Sequence, residues 1–163
     1  MSEAVRIAFT PKSTGWATCE LSVGDISHRL PSVSDTCDPV GDLVRAALMI
    51  ATGAMKATAS FDAEPVETRW ILEAGWWSDL NWIDALRIRL LEFEDFYRSD
   101  PDSEGVSVFT AQCEAAEFVR AVLAEAERLL EPDNKSWMTE AGLSFDGTKT
   151  RVAVKALQAA LQA

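Results

Sequence analysis

The 163-residue chain predicts an α+β fold: an antiparallel meander of about five to seven strands packed by about three helices. Three observations carry that expectation. Apolar and polar residues alternate in successive runs, as in Val5, Ile7 and Phe9, and again in Ala17, Cys19, Leu21 and Val23. Helices are read from helical spacing in three stretches, around 38–53, 113–131 and 148–161. Strand-like runs also follow one another directly, which separates this pattern from a βαβ alternation. The length suits one domain over 1–163, and 48% hydrophobic residues suffice for a core.

The elements follow in order. After the first run, Pro11 and Gly15 break the chain, and the second run ends at Gly24-Asp25, a two-residue hairpin turn before Ile26, His28 and Leu30. That turn pairs Val23 with Ile26 and Leu21 with His28, so both apolar sets share one face. Residues 31–37 read as a loop. Asp38 then caps a helix with Pro39 at its first position, and Gly53 closes it. Ala57, Ala59 and Phe61 form a further strand, a turn falls at Glu64-Pro65, and Val66, Thr68, Trp70, Leu72 and Ala74 return antiparallel.

Residues 81–97 fit two periods. Leu86, Ile88 and Leu90 suit a strand, while Ile83, Leu86, Leu90, Phe93 and Tyr97 suit a helix. A strand is preferred, because a meander needs further partners. Residues 99–105 read as an acidic loop and Val106 to Phe109 as a short strand. The 113–131 helix has an apolar face of Ala115, Phe118, Val119, Val122, Leu123, Ala126, Leu129 and Leu130, and a last helix turns Ala153, Leu157, Ala160 and Leu161 inward.

Charge narrows the function classes. The formal net charge is −11, which argues against nucleic acid and anionic membrane as partners, since both need Lys and Arg. Twelve acidic residues face three arginines within 92–133, so the acidity is concentrated there. That stretch reads as a solvated face or as a docking surface for a basic protein, with Glu117 and Glu125 as candidate contacts. Three widely spaced cysteines form no C-x-x-C pair, which removes the zinc-ribbon, thioredoxin and disulfide-framework readings. The first residues carry no apolar run of signal length and nothing approaches a membrane span, so the cytoplasm is the expected compartment.

The chemical motifs are few. His28 is the only histidine, and its place on the apolar strand face suits a hydrogen-bonded structural role better than a general base. Residues 100–105 begin like a calcium loop, with acids at the first, third and fifth positions and Gly105 at the sixth. Ala111 stands where a bidentate glutamate is needed, so a solvated acidic turn is favoured. Glu67 and Glu73 share a strand face about 20 Å apart, too far for joint acid–base work. Glu64 sits in a turn, where it braces the turn or enters a pocket. No phosphate cradle, dinucleotide fingerprint, nucleophile elbow or kinase signature occurs, so no cofactor and no enzyme activity is expected.

The run through Ser34-Asp35, Leu43, Ala46, Gly53, Phe61, Glu64-Pro65 and Trp70 resembles small bacterial proteins of uncharacterised families. Some proteins of this kind resemble immunity proteins of bacterial toxin systems. The resemblance covers residues 32–72 and transfers no catalytic residue. It implies an acidic, non-enzymatic binding protein. The alternative is a small-molecule binder or enzyme with a pocket between sheet and helices, where Glu64, His28 and Trp70 are the candidate lining. Six tryptophans include Trp76, Trp77 and Trp82 in one segment. Adjacent Trp76 and Trp77 cannot both face inward from a strand, so this segment suggests a homodimer surface. A turn at Gly75 is the alternative, which would let both rings fold over the core.

Overall fold

The structure is a computed structural model that describes residues 3–13, 15–75, 84–131 and 147–163. Among the described residues, seven antiparallel strands and three α-helices give the expected α+β class, and the strands divide into two meander sheets. The first sheet has the order β1 (Val5–Ser13), β2 (Trp16–Val23), β3 (Ile26–Ser34). The second has the order β4 (Lys56–Asp62), β5 (Glu67–Ala74), β6 (Ala85–Phe93), β7 (Val106–Glu114). Helix α1 (Pro39–Ala51) joins the sheets, and α2 (Ala115–Leu130) and α3 (Gly147–Gln162) follow them. Among the described residues no helix is long and apolar enough to cross a membrane.

The hairpin register is the one its turn demands. Val23 pairs with Ile26 and Leu21 with His28, across a Gly24 held at φ +56°. β3 runs on through Pro31 to Ser34, so half of the expected 31–37 loop is strand. A register shift opposite Thr18 absorbs Pro31, which has no N–H to offer a regular ladder. Asp38 caps α1 by accepting the Gly41 N–H at 3.1 Å. A Cβ on Gly41 would stand 2.0 Å from the Asp38 carboxylate, so the cap needs glycine there.

Two boundaries correct the sequence reading. β7 spans nine residues instead of stopping at Phe109, and α2 begins at Ala115, so Cys113 lies in the strand and not in the helix. Phe109, Ala111 and Cys113 are buried while Thr110 and Gln112 are exposed. That two-residue period continues past the point where helical spacing also begins to fit. The 81–97 stretch is strand over β6 and a 3-10 turn over Phe96–Arg98, while 76–83 lies outside the described residues.

One core joins both sheets to the helices. Phe9 of β1 packs on Phe61 of β4 with ring centroids 5.9 Å apart, and Phe61 packs on Trp70 of β5 at 5.4 Å. Helix α1 lies on β4, α2 lies on β1, and α1 contacts both other helices. The opposite face of the second sheet carries Glu67, Arg69, Ile71, Glu73, Arg87, Arg89, Leu91 and Phe93. Ile71, Leu91 and Phe93 are nevertheless buried there. The β6–β7 connection folds back over them as a strap. Gly105 comes so close that a Cβ would stand 2.7 Å from the Phe93 ring and 2.9 Å from Leu91.

Candidate functional site

One end of the molecule collects acid from three separate turns. β3 ends at Ser34, β4 at Asp62, and β6 at Phe93, which pairs with Glu67 just after the β4–β5 turn. Strand pairing places 62–66 beside 94–97, and side-chain hydrogen bonds between the two sheets bring 34–37 against 62–66. Hydrogen bonds fix them. Ser34 Oγ donates to Glu64 Oε1 at 3.2 Å, Thr36 Oγ1 donates to Asp62 Oδ2, and the Glu64 N–H donates to Asp62 Oδ1 at 2.8 Å. The Phe96 N–H donates to the Pro65 carbonyl at 2.7 Å and ties the third turn to the second. Asp95 accepts the Tyr97 N–H at 2.9 Å and starts the 3-10 turn.

Four carboxylates lie at this end: Asp35, Asp62, Glu64 and Asp95. None forms a salt bridge among the described residues, whereas neighbouring Asp38 and Asp42 both pair with Arg45. The electrostatic consequence is visible in two groups. Burial, with the Glu64 charge, holds the Asp35 carboxyl above its ordinary value against a backbone hydrogen bond that lowers it. Asp62 first, then desolvation, Glu64 and Asp95, raise the Tyr97 phenol. Tyr97 is 72% exposed, and its ring stands edge-on to Phe96 at 5.2 Å. An exposed aromatic set in unpaired negative charge suits a cationic side chain, which gains from both ring and carboxylates.

The candidate pocket does not assemble. Trp70 is 0% exposed, shut between the sheets against Phe61, so it cannot wall an open site. Its indole N–H has no described partner. His28 stacks against Phe109 at 6.2 Å, at the other end of β3 from Ser34. Glu64 alone is exposed, and it belongs to the acidic end. It sits at φ +40°, a left-handed conformation that few non-glycine residues adopt.

The candidate partner surface divides as well. Glu125 is 7% exposed, because it accepts the Phe9 N–H at 2.8 Å and holds Arg128 at 2.6 Å. It is a buried structural carboxylate, and the apolar helix face that carries it explains why. Glu117 pairs with Arg120 at 2.9 Å along the helix. Trp76 and Trp77 lie outside the described residues. The calcium-like stretch turns its Asp102 to Arg69 and Lys56 instead. Among the described residues no group of three or more His, Cys, Asp or Glu side chains is placed to hold a metal ion.

Asp35, Asp62, Asp95 and Tyr97 were not singled out by sequence. The available signal was topological for two of the acids: Asp62 and Asp95 stand at the ends of alternate strands of one meander, which stack together, whereas Asp35 follows a strand of the other sheet that Ser34 and Thr36 tie to them by hydrogen bonds. Set beside other proteins, the chain matches no family model, no curated protein and no solved structure.

Proposed function

We propose that the protein is a non-enzymatic binding domain whose acidic end docks a basic segment of a partner protein. The observation that carries this reading is exposed Tyr97 in the field of Asp62, Glu64 and Asp95, with Asp35 beside Glu64 and no salt bridge to any of the four among the described residues. Buried or half-buried like charges cost stability, and a fold retains that cost where the charge meets something else. A cationic partner relieves the repulsion and packs its side chain on the Tyr97 ring. Long-range attraction from a chain of net charge −11 speeds the encounter. An immunity-type inhibitor of a basic toxin is one protein that would have this chemistry.

The test compares the wild type with the Asp35→Asn, Glu64→Gln, Asp95→Asn triple variant and with Tyr97→Ala. An arginine-rich peptide is the probe, followed by nuclear magnetic resonance at rising salt. The expected result is saturable shifts at residues 35, 64, 95 and 97, weakened about tenfold or more in the triple variant and by salt. Shifts centred on Glu117, or equal binding by the triple variant, would overturn the reading.

A further inference from the structure

The outer edge of β1 is a second surface, at the far end of the first sheet from the acidic turns. β1 pairs only with β2 among the described strands. Its backbone alternates in direction. The Ala4 carbonyl accepts from Gly24 on the β2 side, so even-numbered residues bond toward β2. The N–H and C=O of Phe9 point the other way, to Glu125 and Arg128 of α2 at 2.8 and 2.9 Å. The same parity turns the N–H and C=O of Val5 and Ile7 outward, and no described group answers them.

Glu125 and Arg128 therefore act as a strand mimic. One supplies an acceptor and the other a donor, at the two places where a neighbouring strand would supply C=O and N–H. The mimic covers a single residue pair. Pro11, two residues on, faces the same edge with no N–H at all. Beside the uncovered part runs an open groove of about 540 Å³ between β1 and α2. Its helix wall is Ala121 and Ala124, whose small side chains leave room for a backbone. Arg6 stands at the groove and forms no ion pair among the described residues.

We propose that this edge accepts an added β-strand, an extended segment of a partner protein with an acidic side chain opposite Arg6. Backbone bonds to Val5 and Ile7 supply the affinity, and Arg6 selects the charge. The Glu125–Arg128 pair marks where the added strand ends. A second copy of this chain fits less well. With the Phe9 pair in place, the register that sets Val5 against Ile7 of the other copy puts Arg6 directly opposite Arg6, a like-charge contact.

The experiment uses amide hydrogen exchange on the full chain. In the free protein, Val5 and Ile7 should exchange faster than Arg6 and Ala8 on the same strand. The probes are threonine–valine heptapeptides with glutamate, serine or lysine at the centre. The glutamate peptide should slow exchange at Val5 and Ile7 and bind about tenfold more tightly than the lysine peptide. Arg6→Glu should invert that order. Val5→Pro should abolish binding while keeping protection at Arg6 and Ala8, since the lost N–H does not face β2. Three results would overturn the proposal: Ile7 already protected in the free protein, no peptide slowing exchange there, or protection that grows with protein concentration alone, which assigns the edge to a second copy.

Discussion

Asp102 and Arg69 meet at 2.7 Å, and that contact locks the β6–β7 strap onto the outer face of the second sheet. Asp102 also takes Lys56 at 3.0 Å, while Arg69 holds Glu67, donates to the Asp100 carbonyl and lies 4.1 Å over the Phe93 ring. One arginine thus connects strand, strap and the small apolar cluster beneath. Residues 100–105, which begin like a metal loop, have spent their central acid on an internal cation.

The strap makes stability depend on acid. Burial would raise the Asp102 carboxyl, but hydrogen bonds and charge from Arg69 and Lys56 outweigh it and hold the group below its ordinary 3.8. A carboxyl depressed on folding contributes stability above its unfolded value and loses it as pH falls through the folded one. Asp102→Asn should therefore cost about 1 kcal/mol at neutral pH, and the gap to wild type should close below pH 3.8. Urea titrations at both pH values check this. Gly105→Ala should also lift the strap, because Phe93 and Leu91 already occupy the Cβ position.

Glu125 supports a larger effect. Its carboxylate is the acceptor for the buried Phe9 N–H, so Glu125→Ala orphans that donor and removes a partner of Arg128. A loss of about 2 to 3 kcal/mol is expected. Glu125→Gln keeps an acceptor for Phe9 and should lose about half as much. Chemical denaturation with unchanged slope is the measurement, and equal losses in the two variants would contradict the assignment.

Thiol chemistry should be silent in the native state. Burial pushes Cys19 far up, and pushes Cys37 and Cys113 up to about 12, with neighbouring carboxylates adding to each. A backbone hydrogen bond from Asp62 lowers Cys37 only in part. A thiol reagent at pH 8 should label none of the three within the time that labels all of them in denaturant.

Asp35 predicts a gain. A carboxyl raised on folding is harder to ionise in the folded state, so stability falls as pH rises from the unfolded value through the folded one and stays lower above it. Asp35→Asn should thus raise the neutral-pH melting temperature by about 2 °C, and the difference should vanish in acid. A fall would mean that the Asp35 charge is structurally satisfied.

Much of the fold was legible because local rules and global burial agreed. Gly24-Asp25 set the hairpin register, and Asp38 with Pro39 set the start of α1. Legibility failed where two periods overlap, as at Cys113, where strand alternation and helical spacing both fit. It failed again where an apolar register admits a charge. Glu125 reads as a surface acid, yet its partner Phe9 lies 116 residues away, beyond any local pattern. The acidic end was invisible for the same reason. Asp35, Asp62 and Asp95 read as ordinary strand-end acids until strand pairing and the Ser34 and Thr36 hydrogen bonds bring three turns together.

The separation between Phe9 and Glu125 also governs the order of events during synthesis. β1 to β3 close through short hairpins and can form as soon as they leave the ribosome. The group that guards the outer edge of β1 belongs to α2, and it emerges only after the whole second sheet has been made. At the translation speeds of cells, about 5 to 20 residues each second, the nascent chain carries an open strand edge for several seconds. That interval is the vulnerable one for strand-to-strand aggregation, so slowed elongation between β3 and α2 should lower the yield of folded protein.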